Sequence, residues 1–147
     1  MKPIRLAVRG LIIDQEEILV FKHKEEFDYY SFPGGGVEYG ETLETALMRE
    51  LKEETDIAAI IGKQRFIHEL IIKDQAQAYH LIEFFYFVEN GADFREVKLN
   101  KASHGFEVFD MKWVPITTKE KILPKFILPN INKSTQATAS EFFTSIS

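Results

Sequence analysis

The stretch Gly34 to Ile57, GGGVEYGETLETALMRELKEETDI, decides the reading of this chain. No Gly or Pro interrupts Leu43 to Glu54, so that segment is predicted to be helical. Thr42 is placed to cap its start, and Glu44 falls in the first turn, where the helix dipole favours an acid. Leu43, Leu47 and Leu51 recur on one stripe, which must face a core. Glu50 and Glu54 lie one turn apart and flank that stripe, with Glu53 beside them; Lys52 and Thr45 take the far, solvated face. Three carboxylates therefore converge at the edge of a buried face. Like charges gathered there resist ionisation, and something must offset the cost. A hard divalent cation bound through oxygen does so, and Mg²⁺ is the common choice beside phosphates. The bland alternative, an acidic face left in water, does not fit the position of the leucine stripe. Arg49 is spaced to steady Glu53 one turn on, or to reach back to Glu41.

Working upstream, Gly34 to Gly36 allow unusual backbone angles and close approach by a ligand. Their carbonyls can complete a metal site. N–H groups near the helix start can meet phosphate oxygens. A metal-bridged diphosphate is a good electrophile, because the metal neutralises charge on the leaving group and acidifies an attacking water. The pattern therefore points to pyrophosphate hydrolysis.

These residues resemble the signature of the Nudix hydrolases (MutT-like): Gly, five residues, Glu, seven residues, then Arg-Glu-apolar-x-Glu-Glu-x-Gly-apolar. Gly35, Glu41, Arg49, Glu50, Leu51, Glu53, Glu54 and Ile57 fall in register, while Asp56 stands where the family has Gly. That Gly ends the helix in a left-handed conformation, which Asp is among the few other residues to adopt. Tyr30-x-Phe32-Pro33-Gly34-Gly35 resembles the family's lead-in, and Trp113-Val114-Pro115 its closing strand. The likeness covers roughly residues 4–125 by order of elements, and its specific motif covers 35–57.

The resemblance implies an α+β fold, an α/β/α sandwich with a mixed β-sheet and one catalytic helix at about 42–54. It implies cleavage of a nucleoside diphosphate linked to another moiety, a small nucleotide-like substrate. By position, Glu50, Glu53, Glu54 and the Gly34 carbonyl would hold Mg²⁺, with Mn²⁺ as a substitute. Arg49 and Glu41 would position loop and helix. Glu53, Glu54, Glu107 and Arg49 would serve catalysis, and Gly35 and Gly36 would meet phosphate. The catalytic base has three candidates: Glu107, six residues before Trp113; His104 in the same loop, which titrates near neutral pH; and Glu53. Tyr29 and Tyr30 are each read as packing or as candidates for stacking on a base, whereas Phe32 is read as packing and His68 and His80 as structural.

The rest of the chain supplies strands. Ile4–Val8 and Leu11–Ile13 read as one strand, Asp14–Glu17 as a turn and Ile18–Phe21 as the return. Residues 65–73 and 79–88 read as a long antiparallel pair rich in β-branched and aromatic residues. Residues 89–106 read as a long loop, Val108–Val114 as a final strand, and 118–123 as a short helix stopped by Pro124. One domain is expected over 1–132, followed by a Ser/Thr-rich tail over 133–147 that is expected to be disordered in part, with Phe142 and Phe143 able to pin it.

Bulk composition narrows the classes. A chain of 147 residues, 45% hydrophobic, can build a core. The absence of cysteine excludes a disulfide framework, a thiolate zinc site and a cysteine nucleophile. No apolar run approaches the ~18 residues of a membrane span, and no signal peptide is visible; a cytoplasmic protein is the expectation. The net charge of −5 and the lack of a Lys/Arg cluster argue against a nucleic-acid duplex as partner. A homodimer is compatible with the sequence but not written in it. The competing class is a module that binds a nucleotide metabolite without cutting it. Loss of the helix acids would favour that reading, and none is lost.

Overall fold

A computed structural model describes residues 2–98, 108–133 and 140–147. Strand β1 (Arg5–Asp14) turns into β2 (Glu17–Lys22) through Gln15 and Glu16. Both turn residues have positive φ, 51° and 61°, the geometry of a two-residue hairpin turn that follows the sheet's twist. Arg95 holds this turn from outside, donating to the Asp14 and Glu17 carboxylates and to the Asp14 carbonyl.

The remaining elements are β3 (Gly34–Gly36), helix α1 (Leu43–Thr55), β4 (Ile61–Ile72), β5 (Tyr79–Val88), a 3-10 turn (Gly91–Phe94), β6 (Asp110–Pro115), the single-turn helix α2 (Ile127–Asn130) and β7 (Glu141–Ile146). The strands form one mixed sheet in the order β6-β2-β1-β5-β4-β7. One edge of β1 pairs in parallel with β5 from Arg5 to Ile12. Its other edge is shared: β3 takes Ala7 to Arg9 and β2 takes Ile13 and Asp14. The sheet therefore opens between β3 and β2.

Alternation along the strands makes two cores, one on each face. Val8 and Ile12 of β1, Leu19 and Phe21 of β2, and Tyr86 and Val88 of β5 pack with Ala46, Leu47 and Leu51 of α1. Leu11, Ile18, Val20, Phe85 and Val114 face the other way, onto Phe32, Phe66, Ile122, Ile127 and Ile131. The sandwich expected from the sequence is present, with α1 as the one long helix among the described residues. No helix among the described residues is long and apolar enough to cross a membrane.

Helix α1 ends as predicted. The Thr42 hydroxyl accepts from the Thr45 N–H, and Asp56 closes the helix in the left-handed region at φ 64°. Three expectations need correction. Residues 118–123 are not a helix: Ile122 bridges to Tyr30 as a parallel strand and is buried, and Leu123, preceding Pro124, is disfavoured from helical geometry. Strand β4 starts at Ile61, earlier than expected, across two register irregularities. Of the segment read as a tail, 134–139 lie outside the described residues, and 141–146 belong to the sheet. Glu141–Ile146 lie parallel to β4, with Phe143 stacked on Phe126 at 4.0 Å, while Phe142 is exposed.

Candidate metal and phosphate site

The site grows from the way β3 meets β1. Gly10 N–H donates to the Pro33 carbonyl and Val37 N–H to the Leu6 carbonyl. In this register Ala7 with Gly36 and Arg9 with Gly34 are the pairs that do not exchange bonds. The polar backbone groups of Gly34 and Gly36 are thereby left outside the ladder, and α1 uses them. Gly34 N–H donates to Glu54 Oε1 at 3.1 Å. The Gly36 carbonyl accepts from Arg49 Nη2 at 3.0 Å.

Glycine is required at two of these positions for different reasons. Gly34 has φ 139°, and a Cβ there would lie 2.0 Å from the Val8 carbonyl oxygen. A Cβ on Gly35 would come within 2.5 Å of the Glu50 carboxylate. The acids of α1 can approach this strand only because it carries no side chains.

Arg49 is the hub of the helix's polar face. It grips Glu41 with two bonds, Nε to Oε2 at 2.7 Å and Nη2 to Oε1 at 2.9 Å. Its Nη1 donates to Glu50 at 3.0 Å and to Glu53 at 3.4 Å. Glu53 and Glu41, the two partners that the spacing offers Arg49, are therefore both met by one guanidinium. The hydrogen bonds from Arg49, and then from the Glu38 N–H, hold the Glu41 carboxyl down at about 2. The same pairing pushes Arg49 above its ordinary value. This clamp ties the loop after β3 to the helix.

Glu54 is buried and Glu50 half-buried, as the helix wheel required, with Glu53 the most open of the three. Among the described residues no three acidic or histidine side chains are gathered into a ready cation cage. Instead Glu50 and Glu53 share Arg49. The chemistry still fits a hard cation. Every donor is oxygen, one carboxylate is almost wholly withdrawn from water, and the glycine strand leaves space at Glu50 that a Cβ would fill. Glu107 and His104 lie outside the described residues, so of the three candidate bases only Glu53 is placed.

Glu50 and Glu54, but not Glu53, line a cavity of about 1490 Å³ together with Gly34, Gly35 and Gly36 and with Arg9, Tyr29, His68 and Glu83 from the opposite face. Tyr30 is not among its lining residues. Its hydroxyl donates to Asp110, its ring lies under Lys112 Nζ at 4.5 Å, and its backbone bridges Ile122. Burial, then the bond to Asp110, pushes that phenol up to about 12. The neighbouring Tyr29 faces the cavity instead, stacked with Phe27 at 4.9 Å. Of the two tyrosine candidates, Tyr29 is thus the one that lines the cavity, because successive side chains of an extended segment point to opposite sides. Arg9, His68 and Glu83, none of them a candidate site residue in the sequence, also line this cavity. Their one signal in the sequence is charge within strands otherwise rich in apolar residues.

The NUDIX domain family matches residues 3–127. The chain belongs to this family. A curated relative, the ADP-ribose pyrophosphatase of Methanocaldococcus jannaschii, is 31% identical over 112 residues, spanning 75% of this chain and 64% of the relative's own length. Two solved Nudix structures share the fold. The mMutator MutT protein from Bacillus halodurans superposes with a TM-score of 0.69 at 20% identity, over 88% of this chain and 83% of that one. The MutT NUDIX hydrolase from Burkholderia pseudomallei does so with a TM-score of 0.67 at 20% identity, over 86% and 96%. In this chain the Nudix motif coincides with β3, the Arg49 clamp and α1.

Proposed function

We propose that the chain is a Mg²⁺-dependent pyrophosphohydrolase that cleaves the diphosphate of a nucleoside diphosphate linked to another moiety. The observation that carries the reading is the buried Glu54 carboxylate bonded to Gly34 N–H beside Glu50, at the mouth of a cavity large enough for a nucleotide. Glu50, Glu53, Glu54 and the Gly34 carbonyl are the residues that would hold the cation, with Mn²⁺ as a substitute. When bound, the cation supplies charge neutralisation on the leaving phosphate and a more acidic water.

The protein's own groups do the rest. The Arg49–Glu41 clamp fixes the loop against the helix. Gly35 and Gly36 let phosphate approach the backbone. Tyr29 with Phe27 offers a flat apolar surface for a base. Similarity to an ADP-ribose pyrophosphatase supports ADP-ribose as one member of the substrate panel.

The test is turnover with Mg²⁺ against ADP-ribose, nucleotide sugars, nucleoside triphosphates and dinucleoside polyphosphates. Glu54→Gln is expected to lower turnover of the accepted substrate about 10²–10⁴-fold, with the fold retained by circular dichroism. Undiminished turnover in that variant would remove Glu54 from the reaction.

A further inference from the structure

The cavity floor carries a row of polar side chains for which diphosphate cleavage, as described, has no task. Arg9 Nε lies 3.2 Å from Glu83 Oε1. Glu83 Oε2 lies 2.8 Å from His68 Nδ1, and His68 Nε2 lies 2.9 Å from Ser145 Oγ. His68 and Glu83 are buried. Burial alone would push the Glu83 carboxyl up, but the bond from His68 and the charge of Arg9 outweigh it and hold Glu83 below its ordinary range. Withdrawing such a group from water is costly, so the row needs a reason beyond packing.

What it produces is a fixed guanidinium. With Nε turned to Glu83, the two Nη groups of Arg9 have no hydrogen-bond acceptor among the described residues. Arg9 pairs across the strands with Gly34, whose N–H holds Glu54. Arg9, Glu83, His68 and Ser145 all line the cavity that Glu50 and Glu54 enter. A polyanion in that cavity meets these acids, and a cation held one strand away offsets the repulsion.

We propose that Arg9 holds a phosphoryl oxygen of the substrate, and that Glu83, His68 and Ser145 position its guanidinium. The proposal rests on reading the site as one for a diphosphate. The planar fork of arginine suits the task. Its Nε edge is tied inward, and its Nη edge faces the anion. Strand β7 thereby becomes part of the site, because it brings Ser145 to His68.

The experiment is calorimetric titration of inorganic pyrophosphate into the full chain, with chelator present and no divalent metal. Arg9→Ala is expected to weaken binding about 10- to 100-fold, the span of one charge-assisted hydrogen bond. Arg9→Lys should recover only part of the loss, since an ammonium cannot bond Glu83 and the anion as a fork does. Ser145→Ala should weaken binding about 2- to 5-fold in the wild-type background and not at all in the Arg9→Ala background, the non-additivity expected of residues acting as a unit. If Arg9→Ala does not stay folded, Arg9→Gln carries the same expectation.

Wild-type affinity in the Arg9 variants overturns the proposal. An equal effect of Ser145→Ala in both backgrounds overturns the positioning chain. The two readings fail separately. Silence across the substrate panel with pyrophosphate binding lost in Arg9→Ala leaves the anion site standing without the hydrolysis. Turnover lost in Glu54→Gln with pyrophosphate binding unchanged in Arg9→Ala leaves the hydrolysis standing without the anion site.

Discussion

Gly34 and Gly35 are adjacent and chemically identical, yet their environments differ enough to separate stability from chemistry. A methyl on Gly34 meets fixed backbone, the Val8 carbonyl, at a φ that side chains rarely adopt. Gly34→Ala should therefore cost about 3 kcal/mol or more in stability, read as a lowered urea midpoint. A methyl on Gly35 meets the end of the flexible Glu50 side chain, which can swing away. Gly35→Ala should leave the urea midpoint within about 1 kcal/mol of wild type. Its turnover should fall about 100-fold, the scale of a misplaced catalytic group. A Gly35→Ala protein with full activity would show that Glu50 need not sit where it does. Glu41 makes a second prediction at this scale. Its pKa in the folded chain is lowered to about 2, from about 4.3 in an unfolded chain. The clamp's stabilisation is thus complete above the unfolded value and is lost as pH falls through the folded one. The gap in melting temperature between wild type and Glu41→Gln should be constant above about pH 5 and close between about pH 4 and 2. A gap that closed near neutrality would assign the clamp to another group.

Among the elements, α1 was the most legible because its signals are local. The Leu stripe, the Thr42 cap and the stop at Asp56 all lie within one segment, and the structure agrees with each. Asp56 is also where the chain departs from the Nudix motif, and the departure is energetic rather than chemical. A side chain in the left-handed region costs about 1 kcal/mol or more, less for Asp than for most. Against this stands, among the described residues, the exposed pair with Lys52 at 3.5 Å, worth a few tenths of a kcal/mol at most. Asp56→Gly should therefore raise the melting temperature by a few degrees, on the order of 0.5 kcal/mol, with kcat unchanged. Local signals mislead where long-range partners decide. Residues 118–123 look like a capped helix locally, but Tyr30 claims Ile122 as a strand partner. Tyr29 and Tyr30 differ in which face they present, and no periodicity in that irregular segment reveals it. The polar floor was illegible for the same reason. Arg9, Glu83, His68 and Ser145 come from four strands, β1, β5, β4 and β7, and become neighbours only through the sheet order.

For the whole molecule the consequential surprise is β7. Its Ser and Thr content reads as a tail, but Phe and Thr are good strand formers once a partner strand is supplied, and β4 supplies it from Phe66 to Ile71. Among the described residues, the side chains of one face of the strand are the ones that pack. Phe143 packs on Phe126 and Phe66, and Arg65 bonds Glu141 at 2.7 Å. Phe142, next in line, is 58% exposed on the other face. Phe143→Ala should thus cost about 2 kcal/mol, somewhat below the ~3–5 of a wholly buried phenylalanine, whereas Phe142→Ala should stay within about 0.5 kcal/mol. Urea unfolding of both variants checks this difference. It also links the outer edge of the sheet to the site, because β7 carries Ser145 to His68. If β7 docks as one unit, Phe143→Ala should weaken metal-free pyrophosphate binding about as much as Ser145→Ala does, and Phe142→Ala should not. Equal stability losses in the two phenylalanine variants would mean that β7 is not anchored through the Phe126 face, and Ser145 would then lack the support its bond to His68 requires.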